Sequence, residues 1–407
     1  MRIRSLPGFL ALLPVVLSVS CAVVPPGPRD ARPSGPPGNG IVEIAILQMN
    51  DVYELMPVGG GREGGLARVA TIRKGLLAET PNTLTVLAGD LFSPSALGTA
   101  RVDGKPLAGK QMVSVMNALG LDYGTFGNHE FDIGEGSFLD RLGESRFTWI
   151  SSNVFDKGQM RFPGVPGNKV VEFRGAGGRT VRLGIIGLTI DSNRAGYVSY
   201  KDFLAAALAE AGELRGRVDI LVALTHLSLD QDTLLAQAVP GIDLILGGHE
   251  HENVQMGRGS AFVPIFKADA NARTVYIHRL DYDTATRKLA VRSVLKRVTE
   301  ETPADPAIQA LAARWQELGF EAFREEGFRP EQAVATVPVP LDGLESSVRN
   351  RPTALTRLVA GPSGRLVELG AIVVLSGSRH DLRGGRRALV HEDDEGNARV
   401  GVLPGRR

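Results

Sequence analysis

Five apolar runs, at 42–49, 83–88, 123–126, 220–225 and 242–246, each stop on a polar cluster, and no other feature of the chain restricts its fold as strongly. The clusters are Asn50-Asp51, Gly89-Asp90, Gly127-Asn128-His129-Glu130-Phe131-Asp132, His226 and Gly247-Gly248-His249-Glu250-His251. Short apolar runs bounded by turn residues read as buried strands, and the helical spacing at 66–78 and 110–119 alternates with them as in α/β layer proteins. Groups that follow the carboxyl ends of neighbouring strands converge on one rim, where such sheets keep their sites. A further strand is predicted at 181–187. The closely spaced runs at 262–266, 274–282 and 288–296 are expected to form a second, more antiparallel sheet, followed by one long helix at 305–326. After Pro330 no clear period remains.

The 407 residues suffice for two domains, or for one large α/β domain with an appendage. Lys+Arg total 46 against 45 Asp+Glu, a net charge of +1, so bulk electrostatics gives no reason to expect a nucleic-acid polymer or an anionic bilayer as partner. Near the amino terminus Arg2 and Arg4 precede an uncharged apolar run at 6–19, the order of a secretory signal. Pro7, Gly8 and Pro14 interrupt it, and it is shorter than the ~20 residues that cross a bilayer. Cys21, the one cysteine, follows in Leu17-Ser18-Val19-Ser20-Cys21, which is similar to a bacterial lipobox. The expectation is a signal peptide at 1–20, a lipid anchor on Cys21 and a Pro/Gly-rich tether at 21–40. The alternative is a plain secretory signal with an incidental cysteine. Both imply export, to the periplasm or cell envelope, and a single cysteine excludes an internal disulfide framework.

Two carboxylates, an amide and several imidazoles at strand ends form a mixture that binds divalent cations. Oxygen donors suit Mn²⁺ or Mg²⁺, imidazole suits Zn²⁺, Fe or Mn²⁺, and a shared carboxylate bridges two ions ~3.5 to 4 Å apart. Each signal alone has a plainer reading: a Gly-Asp pair is a turn, and His226 a hydrogen-bonded core residue. His249-Glu250-His251 is stronger, because two imidazoles around one residue of a Gly-rich turn diverge toward two ions. Gly59-Gly60-Gly61 and Gly64-Gly65 lack the Lys-Ser/Thr of a phosphate loop and read as turns that shape the rim.

In combination and order, Asp51-x-Tyr53, Gly64-Gly65-Leu66-Ala67-Arg68, Gly89-Asp90, Gly127-Asn128-His129-Glu130, His226 and Gly248-His249-Glu250-His251 resemble the calcineurin-like metallophosphoesterases, in particular their 5′-nucleotidase / UDP-sugar hydrolase branch, over 41–296. The resemblance implies a four-layer αββα sandwich of the α/β class at 41–300, a linker helix at 301–329 and a partial carboxyl-terminal α/β domain at 330–407. It also implies two divalent ions (Mn, Zn, Fe, Mg or Ca), one held by Asp51, Asp90 and His251, the other by Asp90, Asn128, His226 and His249. A hydroxide between them would attack phosphorus in line, His129 would stabilise the transition state or protonate the leaving group, and Asp132 would orient His129.

Two departures stand out. Tyr53 occupies the position where the family carries a histidine ligand; it is a packing spectator with water completing the first site, a ligand to iron, or the mark of a one-metal centre. The carboxyl-terminal region is short, carries no aromatic residue after Phe328 to stack a base, and retains Arg379 as a candidate substrate clamp. The expected function is metal-dependent hydrolysis of 5′-nucleotides or related small phosphomonoesters. The alternatives are a 2′,3′-cyclic nucleotide phosphodiesterase, a UDP-sugar hydrolase, and a catalytically impaired surface lipoprotein that binds a nucleotide or a partner.

Overall fold

The computed structural model describes residues 40–332, 341–343, 345–348, 350–360, 388–392 and 398–402. Cys21, the signal segment and Arg379 lie outside the described residues. Two six-stranded sheets carry the fold. In chain order their strands are β1 (Ile41–Met49), β2 (Thr83–Ala88), β3 (Tyr123–Thr125), β4 (Thr148–Trp149), β5 (Asn168–Arg174), β6 (Thr180–Thr189), β7 (Ile220–His226), β8 (Leu244–Gly247), β9 (Val254–Arg258), β10 (Val263–Lys267), β11 (Thr274–Asp283) and β12 (Lys288–Arg297). The first sheet runs β12-β11-β1-β2-β3-β4 and the second β9-β10-β8-β7-β6-β5.

Within the first sheet β1 to β4 are parallel, and in the second β6, β7, β8 and β10 are parallel. Antiparallel strands close the edges. The alternation along β1 shows why two faces are needed. Val42, Ile44 and Ile46 face the second sheet and pack with Phe173, Ile185, Val222 and Leu246, whereas Leu47 and Met49 face the helices. Parallel strands buried on both faces read as continuous apolar runs, which is what the sequence shows.

Helices α1 (Leu66–Glu79), α2 (Lys110–Leu119) and α3 (Glu135–Glu144) contribute to the core outside the first sheet, and α4 (Phe203–Leu214) and α5 (Leu229–Ala238) cover the second, giving the four-layer sandwich. The long helix α6 (Pro306–Glu325), capped by Asp305, buries Ile308, Ala312, Ala322 and Phe323 in the same cluster as α1 and α2. Among the described residues no helix is long and apolar enough to cross a membrane.

One expectation is corrected. The runs near 262–266, 274–282 and 288–296 do not make a separate sheet. β10 joins the second sheet in parallel with β8, and β11 and β12 extend the first. The reason is the free edge of β1: its buried backbone needs a partner, and β11, with Val275, Leu280 and Tyr282 buried, supplies one in register from Ile41↔Asp283 to Gln48↔Tyr276.

A polar bolt crosses the apolar interface between the sheets. Gln48 donates through Nε2 to the carbonyls of Gly247 (3.0 Å) and Phe266 (3.0 Å) of the second sheet. Its Oε1 lies 2.9 Å from His278 Nε2, and His278 Nδ1 lies 2.7 Å from Ser293 Oγ. Burial pushes the His278 pKa down to about 3, so the ring is neutral, donating to Gln48 and accepting from Ser293.

Candidate metal centre

The parallel strands of both sheets end at one rim, and the polar clusters meet there. The first sheet delivers Asp51 after β1, Asp90 after β2 and Asn128 after β3; the second delivers His226 at the end of β7 and His249 and His251 after β8. The loops interlock through backbone bonds, with Asp51 N–H donating to Gly89 O (3.0 Å) and Gly248 N–H to Thr225 O (3.0 Å). Two glycines are required by this closeness. A Cβ on Gly127 would stand 2.0 Å from Asp90 Oδ1, and one on Gly248 2.3 Å from Ala88 O.

Asp51, Asp90, His249 and His251 all adopt left-handed backbone, with φ of 52°, 60°, 87° and 60°. Non-glycine residues held there cost roughly 1–3 kcal/mol each and cluster at functional sites. Asp51, Asp90 and His251 offer donor atoms within 4.8 Å of one another. His226 Nδ1–H donates to Ala88 O at 2.7 Å, which turns the Nε2 lone pair toward Asp90 Oδ2 (3.3 Å) and Asp51 Oδ1 (3.8 Å) without hydrogen-bond geometry. Asn128 Oδ1 is likewise buried without a partner. Lone pairs that converge in a dry rim require positive charge, supplied by a proton or a cation. Burial opposes charge on His226, yet Asp90 and Asp51 push its pKa up to about 9. Burial also opposes the charge of Asp51 and Asp90, but His226 holds both below the usual carboxylate range. His249, depressed to about 4 by burial and then by His226, is a neutral imidazole. The donor set of carboxylate, amide and imidazole therefore fits divalent ions, and two of its members, Asn128 Oδ1 and His226 Nε2, are buried without a hydrogen-bond partner.

Tyr53 is fully buried, and its hydroxyl reaches the centre of the first-site donors: 2.9 Å from Asp90 Oδ2, 2.9 Å from His251 Nε2 and 3.3 Å from Asp51 Oδ1. Burial, then the charges of Asp90 and Asp51, hold the phenol well above its ordinary pKa, so it is neutral and donates. His129 stands beside the cluster. Its Nδ1 lies 2.6 Å from Asp132 Oδ2, its Nε2 lies 4.0 Å from Asp90 Oδ2, and its backbone N–H donates to Asp90 Oδ1 at 2.9 Å. Burial lowers the imidazole pKa, but the Asp132 hydrogen bond and the Asp90 charge more than offset this and leave it raised.

The sequence motifs thus bring Asp51, Tyr53, Asp90, Asn128, His129, Asp132, His226, His249 and His251 to one rim. Three supporting residues were not assigned a role from sequence. Glu130 is fully buried and its carboxylate accepts from the backbone N–H groups of Asp90 (3.0 Å), Leu91 (2.5 Å), Phe92 (3.2 Å) and Gly127 (2.5 Å). Asn193 Nδ2 donates to Asn128 O (2.8 Å) and Asp132 Oδ1 (2.8 Å). Lys267 is fully buried at the end of β10. The available signal for it was a charge closing the apolar run Val263-Pro264-Ile265-Phe266.

The family model for calcineurin-like phosphoesterases matches residues 44–253, just over half of the chain. Among curated proteins, human 5′-nucleotidase is 25% identical over 368 residues, covering 79% of this chain and 60% of that protein. The trifunctional nucleotide phosphoesterase protein YfkN of Bacillus subtilis is 30% identical over 273 residues, covering 59% of this chain and 18% of that protein. Of solved structures, the 5′-nucleotidase precursor from Thermus thermophilus is similar with a TM-score of 0.66 at 25% identity, over 81% of this chain and 68% of that one. YfkN from Bacillus subtilis, with a TM-score of 0.58 at 20% identity over 69% of this chain and 99% of that one, is a likeness of fold. The chain spans about three fifths of the length of the human and bovine relatives it matches, 60% and 59%.

Proposed function

The chain belongs to the calcineurin-like phosphoesterases, and from that premise we propose that it hydrolyses small phosphate monoesters, 5′-nucleotides foremost, with two divalent cations at the rim. The observation that carries this reading is the pair of buried, unpartnered donors, Asn128 Oδ1 and His226 Nε2, at the rim where Asp51 and Asp90 stand on strained backbone. Asp51, Asp90 and His251 would hold one ion, and Asp90, Asn128, His226 and His249 the other. Bound there, the ions would lower the pKa of water and neutralise charge on phosphoryl oxygens.

The chain's own groups do the rest. Asn193 and Asp132 fix the His129 ring, and Nδ1–H to Asp132 leaves Nε2 to carry a proton toward the departing oxygen. Against burial, the Asp132 hydrogen bond and the Asp90 charge raise its pKa, which favours the protonated ring. Tyr53 enters the proposal as a fourth ligand to the first ion only if bound charge displaces the phenolic proton that it otherwise donates to Asp90 and Asp51. Its hydroxyl stands 2.9 Å from Asp90 Oδ2, 2.9 Å from His251 Nε2 and 3.3 Å from Asp51 Oδ1, among the residues that would hold that ion. A visible tyrosinate band should follow ferric loading; a fully iron-loaded protein without it would remove Tyr53 from the ligand set.

The deciding experiment is a panel of AMP, a cyclic nucleotide and a UDP-sugar, each assayed with Mn²⁺, Zn²⁺, Mg²⁺ and after chelation. AMP turnover that vanishes on chelation and returns with one of the ions supports the reading. Turnover of the cyclic diester or sugar nucleotide in preference to AMP would replace it with a diesterase. A protein that takes up no ion and hydrolyses none of the three would be the binding-only relative. Export and anchorage at Cys21 belong to the same proposal and rest on the order Arg2, Arg4, apolar run, Cys21; radiolabelled fatty acid should enter the wild-type protein and not Cys21→Ser.

A further inference from the structure

Lys267 takes no part in the chemistry proposed above, yet it is a fully buried ammonium directly behind the imidazole side of the rim. Its Nζ donates to Leu227 O (2.7 Å) and Gly248 O (2.8 Å), pairs with Asp232 Oδ2 (2.8 Å), and also pairs with Glu250 Oε2. Three of these partners adjoin a histidine in the chain. Leu227 follows His226, Gly248 precedes His249, and Glu250 lies between His249 and His251. The network extends one step further on both sides: Asp232 Oδ1 accepts from Thr225 Oγ1 (2.7 Å), just before His226, and Glu250 Oε1 accepts from Leu229 N–H (2.7 Å) at the start of α5.

A buried charge of this kind persists only when fully coordinated, and one ammonium here ties together two loops that are otherwise separate in sequence. Carbonyls on both loops point at the same nitrogen, so Lys267 joins the His226 loop to the His249–His251 loop from behind, beside the backbone bond from Gly248 N–H to Thr225 O. Burial opposes the Lys267 charge, and the two carboxylates more than offset it, so the residue remains protonated.

We propose that Lys267 is a positioning residue that fixes the spacing of His226, His249 and His251, and so pre-forms the nitrogen half of the metal centre. The inference rests on the metal-centre reading given above and deepens it. Outer-shell contacts that orient ligands typically carry ten- to hundredfold of metal affinity.

The test compares wild type, Lys267→Met and Lys267→Met/Glu250→Gln, the second variant relieving one of the two carboxylates left without their partner, Asp232 keeping its bond from Thr225, in case the first fails to fold. Phe173→Leu, in the core between the sheets, serves as a control of lowered melting temperature. Affinity for Mn²⁺ is read by titration calorimetry on ion-free protein, and the ligand field by the visible spectrum of Co²⁺-loaded protein. Both Lys267 variants should bind Mn²⁺ roughly ten- to hundredfold more weakly and shift the Co²⁺ bands, while Phe173→Leu melts earlier with affinity and spectrum unchanged. If the double variant melts earlier but binds Mn²⁺ as tightly as wild type with the same Co²⁺ spectrum, Lys267 is only a structural ion and the inference is overturned. Wild-type protein that binds neither ion would overturn the metal-centre reading itself, a result separable from the first because it appears before any substitution.

Discussion

Glu130 and Lys267 perform mirror-image tasks at one rim. On the first sheet, where the donors are Asp51, Asp90 and Asn128, a buried carboxylate gathers the N–H groups of Asp90, Leu91, Phe92 and Gly127. On the second, where the donors are His226, His249 and His251, a buried ammonium gathers the carbonyls of Leu227 and Gly248. The oxygen side is thus laced by a buried acceptor and the nitrogen side by a buried donor. The loops around Asp90 and Gly127 turn amides toward Glu130, which accepts them, and the loops at Leu227 and Gly248 turn carbonyls toward Lys267, which donates to them, so the buried backbone groups of both sides are paired.

The comparison can be broken most forcefully at Asp90, the donor shared by both proposed ions. Asp90→Ala should abolish tight ion uptake at either half and reduce phosphatase turnover roughly a thousandfold or more, several kcal/mol of transition-state stabilisation; ion content by mass spectrometry and single-turnover rates check this. Next is His129→Ala, on the oxygen side but outside the ligand set. Turnover should fall by about 10²–10⁴ while ion content stays at the wild-type value, and an unchanged rate would remove His129 from the mechanism.

The seam between the two sides is probed by pH. The folded pKa of His278 is depressed to about 3 from 6.5, so the folded state resists protonation that the unfolded chain accepts. Its contribution to stability is present above pH 6.5 and is lost as pH falls through about 3, on the order of a few kcal/mol over that window. Urea midpoints at pH 7 and pH 4.5 should differ less in His278→Gln than in wild type. The smallest effect is expected for Glu130→Gln, which keeps the shape but halves the acceptor capacity. A loss of about 1–3 kcal/mol is expected, since buried backbone N–H groups lose an acceptor, with the His226 side unaffected in its Co²⁺ spectrum.

The parts of this molecule legible from sequence are those where a local pattern coincides with a global role. Apolar runs closing on Asp51, Asp90, Asn128, His226 and His249 announced both the strands and the rim, because strand burial and site position share one period. Sheet membership was not legible: β11 and β12 are as strand-like as any others, but which edge they extend depends on the unpaired side of β1, more than two hundred residues earlier. Lys267 escaped for the same reason, since its partners are brought to it by three other elements. Tyr53 was visible as an odd residue in a motif, while the aim of its hydroxyl toward three donors emerged only with the packing of both sheets.

The Gln48 bolt has a further consequence. The centre is assembled half from each sheet, and the sheets are pinned where Gln48 reaches Gly247, one residue before the histidine loop begins. Parting of the sheets by even a small local opening separates oxygen donors from nitrogen donors long before either sheet melts. Loaded cations would therefore behave as rivets across a lap joint: the assembled rim gauges whether the two plates are closed, and loss of chemistry would be the earliest sign of wear in an otherwise intact molecule.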